Sequence, residues 1–166
     1  MASKLRHIAI SVRDPEAAAK FFEQAFGMTR AGNAQRGVYM TDGIMNVALL
    51  NFGEEPVAGF EGKSDVRGLI HFGMWVDSVE ESDKTITAAG GRYLTGRKET
   101  GPNVYYEVKY TTPEGIVFDV TESGWKGAVK DVEPAKASDG LIDQARGRRW
   151  VRQVGGDDQH VASVCS

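Results

Sequence analysis

Among 166 residues the chain has one cysteine, Cys165, and three histidines, His7, His71 and His160. A lone thiol excludes an intrachain disulfide and any cluster of thiolate ligands, which leaves His, Asp and Glu to hold a metal. It also makes a reducing, cytoplasmic location the expectation. No apolar run approaches the roughly 20 residues of a membrane span, and MASKLRHIAIS lacks the apolar core of a secretory leader. A membrane is therefore not expected as a partner. Neither sign of charge is in large excess, with a net charge of −3, so nucleic acid is not an expected partner either.

What the chain does have is an internal repeat. Leu5 to Val12, LRHIAISV, matches Gly68 to Val76, GLIHFGMWV, with His7 falling on His71. At the same offset Val12 falls on Val76, Glu16 on Glu80, Lys20 on Lys84, Ala25 on Ala89 and Gly27 on Gly91. Two copies of one strand–helix unit follow from this, each opening with a histidine.

Within each copy the local signals agree. Ile8, Ile10 and Val12 alternate with His7, Ala9 and Ser11, which predicts a strand with a bulky apolar face and a small, polar one. Asp14, Pro15 and Glu16 predict a helix start, Ala18, Phe21, Phe22 and Ala25 its apolar stripe, and Gly27 its end. A short strand near Thr29–Ala31 and a hairpin turning at Thr41-Asp42-Gly43 complete β-α-β-β-β. Residues 53–67, rich in Gly and charge, read as a linker.

The second copy puts Ile70, Phe72, Met74 and Val76 on the apolar face and His71, Gly73 and Trp75 on the other. Ser78 to Glu81 is a capping box, Gly90-Gly91 a stop, and strands are expected at 92–94, 104–110 and 116–121. Residues 126–166 have no long apolar periodicity and are expected to form a flexible C-terminal tail, with a possible short helix at 141–150 and a basic cluster at Arg146, Arg148, Arg149 and Arg152.

Chemistry concentrates on the small-residue faces. Two histidines at matching repeat positions converge if the halves are related by a pseudo-two-fold axis. In the last strand Ile116, Phe118 and Val120 form the apolar face, and Asp119 shares the inward face with Val117 and Thr121. A half-buried carboxylate there calls for a metal or for a cation such as Lys109 on the neighbouring strand. Glu122 falls on the opposite face. Tyr105, Glu107 and Lys109 alternate with Val104, Tyr106, Val108 and Tyr110, so one of these sets faces the cavity. Asn46 is a weaker candidate for a polar contact, and Trp75 and Trp125 are expected to pack.

The duplicated plan, the paired strand histidines and the run Thr112-Pro113-Glu114-Gly115-Ile116-Val117-Phe118-Asp119 resemble the vicinal oxygen chelate superfamily of glyoxalases, methylmalonyl-CoA epimerases, extradiol dioxygenases and antibiotic-resistance proteins. The resemblance implies an α+β domain over residues 1–125, with paired β-α-β-β-β modules at about 4–52 and 68–123 forming a curved mixed sheet around a metal cavity. It implies metal ligands His7, His71 and Asp119, the last where the family's motif has Glu. Glyoxalase-like and epimerase-like members take a fourth ligand from the last strand of the first half, where this chain has Val47 or Ala48. Two histidines and one carboxylate remain, the arrangement of extradiol dioxygenases and one suited to Fe(II) or Mn(II), with Zn(II) or Ni(II) as alternatives. Lys109 falls where those enzymes place a catalytic tyrosine, with Glu107 and Tyr105 beside it. Dioxygenase chemistry on a small molecule with vicinal oxygens leads. A glyoxalase-like lyase or isomerase, and a metal-free binding protein, are the competing expectations. The resemblance also implies a homodimer.

Overall fold

A computed structural model of the chain describes residues 3–96 and 107–132, all within one compact unit, 1–132. The first module runs β1 (Lys4–Ser11), α1 (Pro15–Phe26), β2 (Thr29–Ala34), β3 (Gly37–Thr41) and β4 (Asn46–Leu50). The second runs β5 (Gly68–Trp75), α2 (Val79–Ala88), β6 (Arg92–Gly96), β7 (Val108–Thr111) and β8 (Val117–Thr121). They join in one mixed eight-stranded sheet of order β2-β3-β4-β1-β5-β8-β7-β6. The order is symmetric about the centre. β1 pairs parallel with β4 and β5 parallel with β8, while β1 and β5 meet antiparallel. This is the expected α+β architecture of two paired modules.

The capping residues act as the sequence predicts. Asp14 accepts from the backbone N–H of Glu16 and Ala17, and Gly27 ends α1 at φ 66°, a conformation that costs a residue with a Cβ. Ser78 accepts from Glu81 N–H at the start of α2. The Val79 N–H there goes to Glu122, so Glu122 caps a helix on the far face from the cavity. No helix among the described residues is long and apolar enough to cross a membrane.

Several local expectations need correction. The buried face of α1 is Ala18, Ala19 and Phe22, packed on Val38, Met40, Val47 and Leu49. Phe21 is 56% exposed and Ala25 is exposed too, because the helix meets the sheet along the line of Ala18, Ala19 and Phe22. The strand expected at 104–110 is observed as Val108–Thr111, residues 104–106 lying outside the described ones. Ile116 precedes β8 and is 52% exposed, not part of the apolar face. Ile70 sits at an irregularity opposite Ala9 and Ile10. That bulge turns it inward, onto Ala9, Ala48 and Val57. Finally, 53–67 is more than a linker: Val57 is buried, and Phe52, Phe60 and Val66 pack in the same cluster.

Candidate metal centre

The two central strands carry the histidines. Because β1 and β5 run antiparallel with Ala9 opposite His71 and His7 opposite Gly73, the two imidazoles meet on one face, their Nε2 atoms 3.3 Å apart. β8 lies parallel beside β5 with Asp119 opposite Gly73. This brings the Oδ2 atom of Asp119 to 3.1 Å from His71 Nε2. All three residues are buried, and their ligand atoms lie within 4.8 Å of one another. Donors at about 2.1 Å from one ion stand roughly 3 Å apart, so the observed spacings suit a shared cation.

Each donor is oriented by a partner. His7 Nδ1 is 2.6 Å from Asn46 Oδ1, and Asn46 Nδ2 donates to the Lys126 carbonyl at 2.7 Å. With the amide pinned in that sense, His7 carries its proton on Nδ1 and offers the Nε2 lone pair. Burial, together with the neighbouring His71, pushes the His7 pKa down to about 3, so the ring stays neutral, the form a metal requires. Burial opposes the charge on Asp119, but the His71 hydrogen bond and charge and the Lys109 ammonium hold its carboxyl well below the usual range.

The fit to a cation rests on one further atom. Lys109 Nζ and His71 both address Asp119 Oδ2, the lysine at 2.6 Å. Asp119 Oδ1 is buried with no hydrogen-bond partner. A carboxylate oxygen left in that state is costly, and it is met either by a protonated Glu107, which shares a hydrogen bond with Asp119, or by an ion that both carboxylate oxygens hold.

Of the other expected site residues, Glu107 and Lys109 face the cavity, whereas Val108 and Tyr110 enter the core under α2. Tyr105 lies outside the described residues. Burial first, and the Asp119 carboxylate next, push the Glu107 pKa up. Its Oε1 accepts from Trp125 Nε1 at 2.5 Å. Trp75 packs as expected, donating to the Glu122 carbonyl. Trp125 packs too, but on His7 itself, with ring centroids 4.7 Å apart and planes 7° from parallel.

A cavity of about 210 Å³ adjoins the cluster. His7, His71, Glu107 and Lys109 form its polar end, and Ala48, Leu50, Phe52, Val57 and Ile70 line its apolar body. Tyr39 also lines it. Sequence reasoning passed over that residue, although alternation against the core residues Val38 and Met40 in β3 marks it as inward-facing. The 53–67 segment contributes Pro56, Val57 and Ala58 to the wall. Their inward placement had no periodic signal.

A family model described as the Glyoxalase/Bleomycin resistance protein/Dioxygenase superfamily matches residues 4–120. The chain belongs to that superfamily. Solved structures share its fold at low identity. A hypothetical protein from Bacillus halodurans has TM-score 0.57 at 20% identity, the match covering 82% of this chain and 99% of that one. A Mn(II)-bound glyoxalase from Novosphingobium aromaticivorans has TM-score 0.55 at 20% identity over 80% of this chain and 44% of the other. The 2,3-dioxygenase LapB from a Pseudomonas species has TM-score 0.53 at 17% identity over 80% and 45%. No curated protein matches the sequence.

In the observed register the first module has no carboxylate to match Asp119. Asp119 stands opposite Gly73 in β5, Gly73 repeats Ala9, and Ala9 stands opposite Ala48 in β4. Ala48 therefore occupies the pseudo-symmetric counterpart of Asp119, and it has no donor atom.

Proposed function

We propose that this chain is a metal-dependent dioxygenase of the vicinal oxygen chelate type, acting on a compact molecule with two adjacent oxygens. The observation that carries this reading is the buried group of two imidazoles and one carboxylate, with Ala48 where a fourth donor would stand. His7, His71 and Asp119 would hold the ion, Fe(II) or Mn(II) being the preferred candidates. When bound, such an ion supplies open coordination positions for a bidentate oxygen ligand and for dioxygen.

The chain's own residues do the rest. The apolar wall seats the body of the substrate and excludes water. Its volume, below the roughly 300–1,000 Å³ of pockets for drug-sized ligands, restricts the substrate to a small ring or short chain. Lys109 presents a cation at the polar end, where it stabilises an anionic oxygen of the substrate. Glu107, with its pKa raised by burial, is suited to give or take a proton there.

That last feature also favours a second reading, a glyoxalase-like lyase or isomerase that needs proton transfer but no oxygen. A metal-free binding role accounts for less, since it gives no use to two buried imidazoles that converge on one carboxylate.

The test is a screen of catechols, hemithioacetals and 2-oxo acids with protein loaded with Fe(II), Mn(II), Zn(II) or Ni(II), with and without oxygen. Oxygen uptake with Fe(II) or Mn(II), depressed in Lys109→Met more than metal content is, is the expected result. Turnover that persists under strict anaerobiosis assigns the isomerase reading instead.

A further inference from the structure

The residues that follow β8 do not leave the domain. Trp75 Nε1 bonds the Glu122 carbonyl, Asn46 bonds that of Lys126, and Thr41 Oγ1 bonds that of Gly127 at 2.7 Å. Val129 N–H reaches the Ile44 carbonyl, and Arg6 bonds the carbonyls of Val129 and Lys130. Residues 122–130 thus form a strap that starts on the second module and is tied down on the first. It lies beyond the 4–120 span of the superfamily match.

The strap delivers one side chain to the metal centre. Trp125 is 8% exposed and lies face to face on His7, while its indole N–H is held by Glu107. Trp125 does not line the cavity. Room for the indole exists because residue 73 has no side chain: a Cβ on Gly73 would stand 2.5 Å from Trp125 Cζ2, 2.6 Å from Cη2 and 2.8 Å from His7 Cβ. Those are closer than real Cβ atoms approach anything. The repeat counterpart of Gly73 is Ala9, so the glycine is specific to the half that receives the indole.

We propose that Trp125 is a positioning residue, through which the strap sets the plane and tautomer of the His7 imidazole. Trp125 fixes the ring by its face and Asn46 fixes it by Nδ1, and both are referred to the same strap, since Lys126 O orients the Asn46 amide. Losing the indole frees the ring to rotate out of the plane in which Nε2 points at the His71–Asp119 pair. Partners that orient a ligating histidine are typically worth about 10–100-fold in metal affinity. This inference rests on His7 being a ligand, and two readouts keep it separable from that reading.

The first readout is Mn(II) affinity, measured by calorimetry on the full chain. Trp125→Ala is expected to weaken binding by about 10–100-fold. Trp125→Phe keeps a flat ring on His7 and recovers most of the affinity. If the alanine variant does not fold, Trp125→Leu, which fills the volume without a ring, carries the same expected loss. Affinity equal to wild type in the Leu or Ala variant overturns the proposal.

The second readout is the ring-nitrogen NMR spectrum of His7 without added metal. A single tautomer, protonated at Nδ1, is expected in the wild type and a mixture in the Leu variant. Should the wild type take up no Mn(II), the metal reading fails and this spectrum alone decides. A single His7 tautomer, protonated at Nδ1, in both proteins then overturns the positioning role.

Discussion

His7 and Asp119 are titratable groups held in unusual states, and each has a consequence for stability. Below pH 6.5 the unfolded chain takes up a proton on residue 7, whereas the folded chain refuses it until about pH 3. The unfolded state therefore binds more protons across that window, and stability falls as pH falls, by about 1.4 kcal/mol per unit. Above pH 6.5 this contribution is flat. Asp119, held below the usual carboxylate range, adds loss in the same direction at more acid pH. Glu107, pushed upward, works the other way just above the ordinary carboxyl range. Urea unfolding with a chelator at pH 6.5 and 5.5 is expected to give a drop in stability that His7→Gln abolishes. An equal drop in that variant assigns the slope to other groups.

Lys109 is the other group whose removal is informative. Asp119 is fully buried, and the lysine is about one-fifth exposed at 2.6 Å from it. Taking away one partner of a buried pair costs about 3–5 kcal/mol, the low end applying here because of the exposure. Lys109→Met is expected to unfold at lower urea concentration than wild type. Added Mn(II) should then restore more stability to the variant than it adds to the wild type, because it neutralises the stranded carboxylate. Equal gains from Mn(II) in both proteins refute that account.

At the scale of elements, the sequence was readable where local chemistry decides. Asp14, Pro15 and Gly27 set the limits of α1, and alternation placed His7, Ala9 and Ser11 on one face, all three buried. Asp14→Ala is expected to cost about 1 kcal/mol, since two backbone N–H groups lose their acceptor. Chemical denaturation measures this, and a loss under a few tenths refutes it. Reading failed where the deciding partner was remote. The facing of Phe21 depends on how α1 lies across β3 and β4. The inward turn of Ile70 depends on a bulge against β1, which period-2 alternation does not register. The strap is bound largely through its own carbonyls at 122, 126, 127, 129 and 130. A carbonyl is common to every residue, so no side-chain pattern announces such contacts. The cluster of His7, His71 and Asp119 was legible because the repeat supplied the long-range relation that a single strand lacks.

For the whole molecule, the antiparallel meeting of β1 and β5 puts the candidate metal centre on the boundary between the modules. His7 comes from one side of it, and His71 and Asp119 come from the other. The chain crosses that boundary through 61–65, a stretch exposed throughout, and returns through the strap. A break between Lys63 and Ser64 leaves each strand of the central pair on a separate polypeptide, with an apolar and hydrogen-bonding edge that only its partner covers. Co-expressed halves are expected to co-purify through a tag on either one. Mn(II) should tighten the association by mass action, by about 2.7 kcal/mol at a hundredfold excess over its dissociation constant. Retention indifferent to Mn(II), or unchanged by Asp119→Ala in its presence, refutes this. Divided in this way, a protein that holds its ion at His7, His71 and Asp119 would become a two-component ion sensor whose output is the assembly of its own halves.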